Sequence, residues 1–503
     1  MFVFMMLFGS FLALLSASAF AVSWISLAVV LALVGYLYWN SGEKNSDKAT
    51  TQGEHHLRMT WLEEHMLKND TFPASQHSSP TCMVINSAMY FKDGLPEKKR
   101  VEKLLQDKLL YFHRFSSVPD FESKTWRSVK VNIDDHVIMH SPCANNEALE
   151  DEINDVISHA LDLTKPAWEV HMLPVTTGDD CIIFRSHHSI GDGLSLLPAY
   201  ESMATNADGS PVEVGHSKKP VIPTKNNIIM ALLMAIEYVR SFCVLLWACY
   251  MPLESSFTFN TPREHRGGDM RWSGSRRAVL FKPFSLEYVK AITKRTPKKT
   301  TVNDVLLSAT VGAIRAYSGK SVNSSTVMRM LLPFGFEAKL DDMPANDRLT
   351  NGFAFCSSDL SKSIRSDDPE SRLLATNRIM KRVKHSLEAK VSFWMMNNLF
   401  ARAPIGFYQK TARKVFANHT AIFSNVRGPA VSQYFAGKEV TGTQAMFLNA
   451  IPQVTLVSYN GEIYYNITLD PTVVKDWDKL EGLFRKELLA MGKAVGVDAT
   501  LTL

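Results

Sequence analysis

No charged side chain occurs in the first 42 residues; Glu43 is the first. The stretch begins FVFMMLF, passes small residues at 16–21, and resumes as WISLAVVLALVGYLYW. As one helix it would extend about 60 Å, twice the thickness of a hydrocarbon core of about 30 Å. One tilted span with an apolar overhang, or a tight two-span hairpin, satisfies that length. A cleaved leader competes, because Ala17-Ser18-Ala19 and Ala19-Phe20-Ala21 resemble cleavage sites. No Lys or Arg precedes the apolar run, however, and a second apolar run follows the cut. We therefore expect residues 1–42 to anchor the chain in a membrane and 43–54 to form a polar linker.

Beyond the linker the chain alternates helical and strand patterns in two blocks, 55–216 and 270–495, joined by a crossover at 217–269. The 503 residues, 46% of them hydrophobic, can bury a large core, which excludes a disordered chain. Six isolated Cys without a CxxC argue against a disulfide scaffold or a thiolate metal site. The crossover contains an apolar run at 228–250 interrupted by Glu237 and Arg240. Two opposite charges on one helical face predict a helix lying on a membrane surface or packed against the protein. A later run, VSFWMMNNLFARAPIGFYQKTARKVF, reads as a core helix followed by a surface helix, with contact to lipid or a greasy ligand as the alternative. Four segments near the end (AIFSNVRG, AMFLNAI, QVTLVSYNG and EIYYNITLD) read as a meander of strands, with an Asn460-Gly461 hairpin turn.

The sharpest local feature is FRSHHSIGDG at 184–193. An apolar strand ends in His187-His188 and a Gly-flanked turn carries Asp192 into a new helix. Adjacent side chains on an extended segment point opposite ways, so only one His of the pair can face a given cavity. An imidazole titrates near pH 6.5 and suits proton transfer. The bland alternative is a satisfied polar strand end. HExxH, GxSxG, GxGxxG and P-loop patterns are absent. Residues 263–300 carry eleven Lys/Arg against three acids, in a chain whose net charge is only +5. Such a stretch is a solvated basic face, or attracts an anionic ligand or anionic lipid. No nucleic-acid-binding signature accompanies it, so nucleic acid is not an expected partner.

HHSIGDG resembles the HHxxxDG signature of acyl-CoA-dependent acyltransferases related to chloramphenicol acetyltransferase and condensation domains. The surrounding segments resemble the bifunctional wax ester synthase/diacylglycerol acyltransferase family. They are LDLTKPAWEVHML at 161–173, TVNDVLLSATVGAIRAY at 301–317, LTNGFAF at 349–355, DDPESRL at 367–373, FSNVRGP at 423–429, AGKEV at 436–440 and SYNGEIYYNITLD at 458–470. Ala167 stands where the family commonly has Leu, Thr350 where it commonly has Gly, and SSDLS at 357–361 replaces an expected Leu-Pro segment.

The resemblance implies an α/β fold of two chloramphenicol acetyltransferase-like halves forming a pseudo-dimer around a tunnel. It implies His188 as the catalytic base, with His187 supporting it. Asp192 is implied to be structural, holding backbone N–H groups or a distant Arg, and Gly191 and Gly193 to permit the turn. Asn303 is implied as site lining or part of the CoA region. The co-substrate would be acyl-CoA, with no bound cofactor or metal, and the acceptor a fatty alcohol or diacylglycerol. Alternatives are a shorter, branched or sterol alcohol, or a non-catalytic membrane lipid-binding protein on the same fold. Lys290, Lys294, Arg295, Lys298 and Lys299 are candidates for guiding the anionic CoA. The expected location is a membrane, the endoplasmic reticulum with a cytosol-facing catalytic part, or the plasma membrane.

Overall fold

The computed structural model describes residues 58–68, 83–212, 236–245, 275–319, 322–336 and 345–498. The apolar stretch 1–42, the linker 43–54 and most of the crossover 217–269 lie outside these residues. Labelled in chain order, the first half holds β1 (Val84–Phe91), β2 (Val137–Met139), α1 (Asn146–Ser158), β3 (Trp168–Leu173) and β4 (Asp180–His187). The second holds β5 (Arg277–Leu280), α2 (Leu286–Arg295), α3 (Val302–Ser318), β6 (Arg329–Gly335), β7 (Phe353–Asp359) and α4 (Pro369–His385). It continues with β8 (Ala421–Arg427), β9 (Gly442–Phe447), β10 (Gln453–Tyr459), β11 (Glu462–Leu469) and α5 (Leu480–Ala494).

Two mixed sheets organise the chain. The smaller has the order β9-β1-β4-β3-β2 and the larger β5-β11-β10-β8-β6-β7. β4 is central and apolar on both faces: Ile182 and Phe184 join one core with Trp168, Leu105 and Phe115, while Cys181 and Ile183 join another with Leu149 and Ile153 of α1. This two-sided burial explains why the segment reads as a continuous apolar run. Trp168 is fully buried, stacks on His136, and donates its indole N–H to the Phe115 carbonyl at 2.8 Å.

The larger sheet is covered by α3, α4 and α5, which bury Leu307, Val311, Phe484 and Leu488 against Val454 and Leu456. Helix α3 begins with a capping box, in which Thr301 accepts from the Asp304 N–H and the Asp304 carboxylate accepts from the Thr301 N–H.

The expected meander is corrected. β8 and β10 are parallel neighbours, and β9, which lies between them in sequence, leaves for the other sheet. There it pairs antiparallel with β1, Phe447 opposite Ile85. Of these four strands β10 and β11 alone form a hairpin, with Asn460 and Gly461 both at positive φ. Strand alternation shows that a segment is a strand and not which sheet receives it.

Residues 236–245 are helical. Tyr238, Phe242 and Leu245 pack against Val391, Met395 and Phe400, and Arg240 pairs with Glu237 at 2.5 Å. The helix Ile405–Ala417 buries only Thr411, as a surface helix does. Among the described residues no helix is long and apolar enough to cross a membrane.

Candidate functional site

The strand β4 delivers the histidine pair at the seam between the halves. Val84 of β1 pairs with His187, and its neighbour Ile85 pairs with Phe447 of β9. One strand therefore holds the histidine turn on one edge and the second half on the other. The backbone is pinned on both sides: His187 N–H donates to the Ala167 carbonyl at 2.9 Å and His188 N–H to the Met83 carbonyl at 2.7 Å.

The two imidazoles meet different surroundings. His187 is 5% exposed, and its Nδ1 accepts from the Ser189 N–H at 3.2 Å and lies 2.7 Å from Ser189 Oγ. Burial, and secondarily the neighbouring His188, pushes its pKa down to about 3, so it is neutral. His188 is half-buried and lies against the Phe353 and Phe447 rings, with centroids 5.2 and 5.5 Å away. Burial lowers its pKa below the ordinary value, offset in part by the Asp192 carboxylate and by the hydrogen bond that His188 donates to the Asn351 oxygen.

Asn351 decides the tautomer of His188. Its amide nitrogen donates to the Ser189 carbonyl at 3.4 Å, which turns its oxygen toward His188 Nδ1 at 2.9 Å. Facing an oxygen acceptor, a neutral His188 must carry its proton on Nδ1. Nε2 is then left with a free lone pair.

Asp192 is tied to backbone. One carboxylate oxygen accepts from Leu194 and Ser195 N–H at 3.0 and 2.9 Å, starting the next turn, and the other accepts from Gly352 N–H at 2.7 Å. The Asp192 N–H and the Ser195 hydroxyl both donate to the Thr350 carbonyl, at 3.0 and 2.7 Å. The distant Arg anticipated as one possible partner is thus replaced by a loop of the second half. Arg185 pairs instead with Glu169 at 3.0 Å.

The glycines divide. A Cβ on Gly191 would stand 2.5 Å from Ser195 Oγ, so the close turn needs glycine there. Nothing lies within 4 Å of a Cβ on Gly193 and its φ is not in the left-handed region, so the expectation that the turn depends on glycine there is corrected. Gly352 has the stronger case: a Cβ would meet the Phe336 carbonyl oxygen at 2.6 Å.

The structure thus gathers His187, His188, Gly191, Asp192 and Gly193 on one turn and adds Asn351, Gly352, Phe353 and Phe447. These last four were not singled out in the sequence. Asn351 and Gly352 lie within LTNGFAF, so an Asn-Gly pair just before a strand was the available signal. Asn303, in the first turn of α3, accepts from the Asn425 amide of β8. Lys290, Lys294, Lys298 and Lys299 are exposed on and just after α2. Arg295 is exposed too, and donates to the Gly496 carbonyl at 2.6 Å. Among the described residues no group of three or more His, Cys, Asp or Glu is arranged to hold a metal.

Comparison with known proteins adds the family. Residues 98–306 match the wax ester synthase/diacylglycerol acyltransferase catalytic domain and residues 349–492 match the WS/DGAT C-terminal domain. Wax ester synthase/diacylglycerol acyltransferase 6 of Arabidopsis thaliana is 25% identical over 429 residues, covering 74% of this chain and 82% of that protein. Number 11 of the same plant is 27% identical over 417 residues, covering 75% and 84%. The wax ester synthase/diacylglycerol acyltransferase structure from Marinobacter aquaeolei aligns over 88% of this chain and all of its own, with a TM-score of 0.59 at 17% identity. A trichothecene 15-O-acetyltransferase from Fusarium sporotrichioides aligns over 86% and 94%, with a TM-score of 0.57 at 15% identity. Because the two domain matches follow each other along most of the described residues, this chain belongs to the wax ester synthase/diacylglycerol acyltransferase family.

Proposed function

We propose that the protein moves a long-chain acyl group from acyl-CoA to the hydroxyl of a fatty alcohol or diacylglycerol, with His188 as the base. The observation that carries this reading is the free Nε2 lone pair of a half-buried imidazole whose Nδ1 is held by Asn351. The thioester is already activated, and the acceptor hydroxyl is not. Nε2 takes the hydroxyl proton as the oxygen attacks the thioester carbonyl. When the tetrahedral intermediate collapses, the C–S bond breaks and the imidazolium returns the proton to the departing thiolate. Electrostatic balance favours this direction of use, since burial keeps His188 neutral and ready to accept at neutral pH.

The acceptors partition into bilayers, which supports membrane anchoring through residues 1–42, with the catalytic part facing the cytosolic acyl-CoA pool at the endoplasmic reticulum. The exposed Lys290, Lys294, Lys298 and Lys299, with Arg295, support guidance of the anionic CoA moiety by long-range attraction.

The test is the purified full-length protein with palmitoyl-CoA and a panel of acceptors: hexadecanol, dioleoylglycerol, short and branched alcohols, and a sterol. CoA release that requires hexadecanol or dioleoylglycerol supports the proposal. Release confined to the other acceptors overturns the substrate class, and no release with any acceptor overturns catalysis in favour of lipid binding.

A further inference from the structure

A buried ion pair lies against the histidine turn. Arg114 is 9% exposed and Glu63 is fully buried, and their side chains meet at 2.5 Å. The same Arg114 nitrogen donates to the carbonyls of Ser189 and Ile190, at 3.1 and 3.3 Å. These are the two residues directly after His188. The guanidinium also stands 5.3 Å from the ring centroid of the buried Trp126. The Ser189 carbonyl also takes the Asn351 amide, so Arg114 is its second donor; for the inward Ile190 carbonyl Arg114 supplies the donor, and a buried acceptor left without one is costly. A guanidinium supplies it only where a carboxylate balances its charge.

Glu63 divides its two oxygens. Oε1 takes Arg114, while Oε2 accepts from the Thr60 N–H at 2.9 Å, and Thr60 Oγ1 accepts from the Glu63 N–H at 3.2 Å. That is a capping box at the start of the helix Trp61–Lys68. One carboxylate therefore fixes both the first described helix of the chain and the arginine that holds the catalytic turn. Trp61 and His65 of that helix contact the Tyr408 ring, with centroids 4.8 and 4.6 Å away, so the helix is seated from a second direction.

The geometry points to Arg114 and Glu63 as positioning residues for acyl transfer: a clamp that sets where His188 Nε2 stands relative to the acceptor hydroxyl. Neither touches the reacting atoms; both act through the 189–190 carbonyls. The inference rests on His188 being the base.

Arg114→Met in the full chain is expected to lower kcat by about 10²-fold, the scale of a small misplacement of a catalytic group, with the acyl-CoA KM within about twofold of wild type. Because the clamp works through His188, adding Arg114→Met to His188→Ala should change the residual rate by less than about threefold. A purely structural role predicts a different pattern in the single variant: a lower melting temperature with normal kcat in the folded protein. Glu63→Gln keeps the shape and removes the charge; it is expected to lower kcat about tenfold at unchanged KM, and it decides the matter should Arg114→Met not fold. Wild-type kcat in folded Arg114→Met or in Glu63→Gln, or full multiplication of the two losses in the double variant, would overturn the clamp. Normal turnover by His188→Ala strikes the assignment of the base instead, so the two failures are distinguishable.

Discussion

The two sheets share a plan and divide the labour unequally. The smaller sheet carries charge and hydrogen-bonding capacity inside it: Arg185, Glu169, His171, Asn86 and the histidine turn are all close to or within its strands. The larger sheet rests on the more extensive apolar core, formed with α3, α4 and α5, and its buried polar pairs, Arg372 with Glu487 and Asn377 with Asp304, join those helices to one another. The second half nevertheless decides the chemistry, because Asn351, Gly352, Phe353 and Phe447 come from it. Buried polar groups are specified by bonds that must be met one by one, and an apolar core by volume that must be filled. The division separates residues that set rate from residues that set stability.

The largest expected effect tests the rate side. His188→Ala should reduce transfer by about 10²–10⁴-fold while the protein melts like wild type. A comparable loss of thermal stability would show that the turn is structural first. Next, on the other side, Phe484→Ala should cost about 3–5 kcal/mol of unfolding free energy, measured by denaturant titration, with kcat of the remaining folded protein unchanged. A fall in kcat there would blur the division.

Asp192→Asn should move both quantities, because Asp192 joins the halves. An amide cannot accept from Leu194 and Ser195 and also from Gly352, so one backbone N–H is stranded. We expect a loss of about 1–3 kcal/mol together with reduced kcat. A variant with unchanged melting and no activity would give Asp192 a direct part in proton transfer.

The smallest effect is on pH dependence. Burial depresses the His188 pKa, so the neutral base persists as pH falls, and the acid limb of kcat/KM should lie below the ordinary imidazole value near 6.5. Asn351→Asp puts a carboxylate against Nδ1, favours the imidazolium, and should move that limb up by roughly one unit. An unmoved limb would mean that His188 is not the titrating group.

What could be read in the sequence was what is local. The apolar strand, its paired histidines and the Gly-flanked turn lie within ten consecutive residues, and the same turn stands in the structure. Asn351 was not legible in the same way, since its meaning is a contact 163 residues from His188. Arg114 reads as an ordinary cation beside an aromatic at a helix end, and only the packing of Glu63 against it gives it a role. Of the two partners expected for Asp192, the structure shows backbone N–H groups and not the arginine; the sequence left the choice open, because backbone N–H groups satisfy a carboxylate as well as a guanidinium does and leave no mark in composition. Strand β9 was recognised as a strand and assigned to the wrong neighbours, because period-two alternation carries no address.

That strand has a consequence for how the protein is made. The wall beside His188 is finished only when Phe447 pairs across from Ile85. During synthesis the ribosome must therefore add the residues between His188 and Phe447, a delay of roughly 13–50 s at about 5–20 residues per second. Until then β1 presents an unpaired edge and the nascent first half exposes the apolar face that β9 will cover. The window calls for chaperone protection, and it closes on an enzyme that gains its active site only once the second half has been made as far as β9.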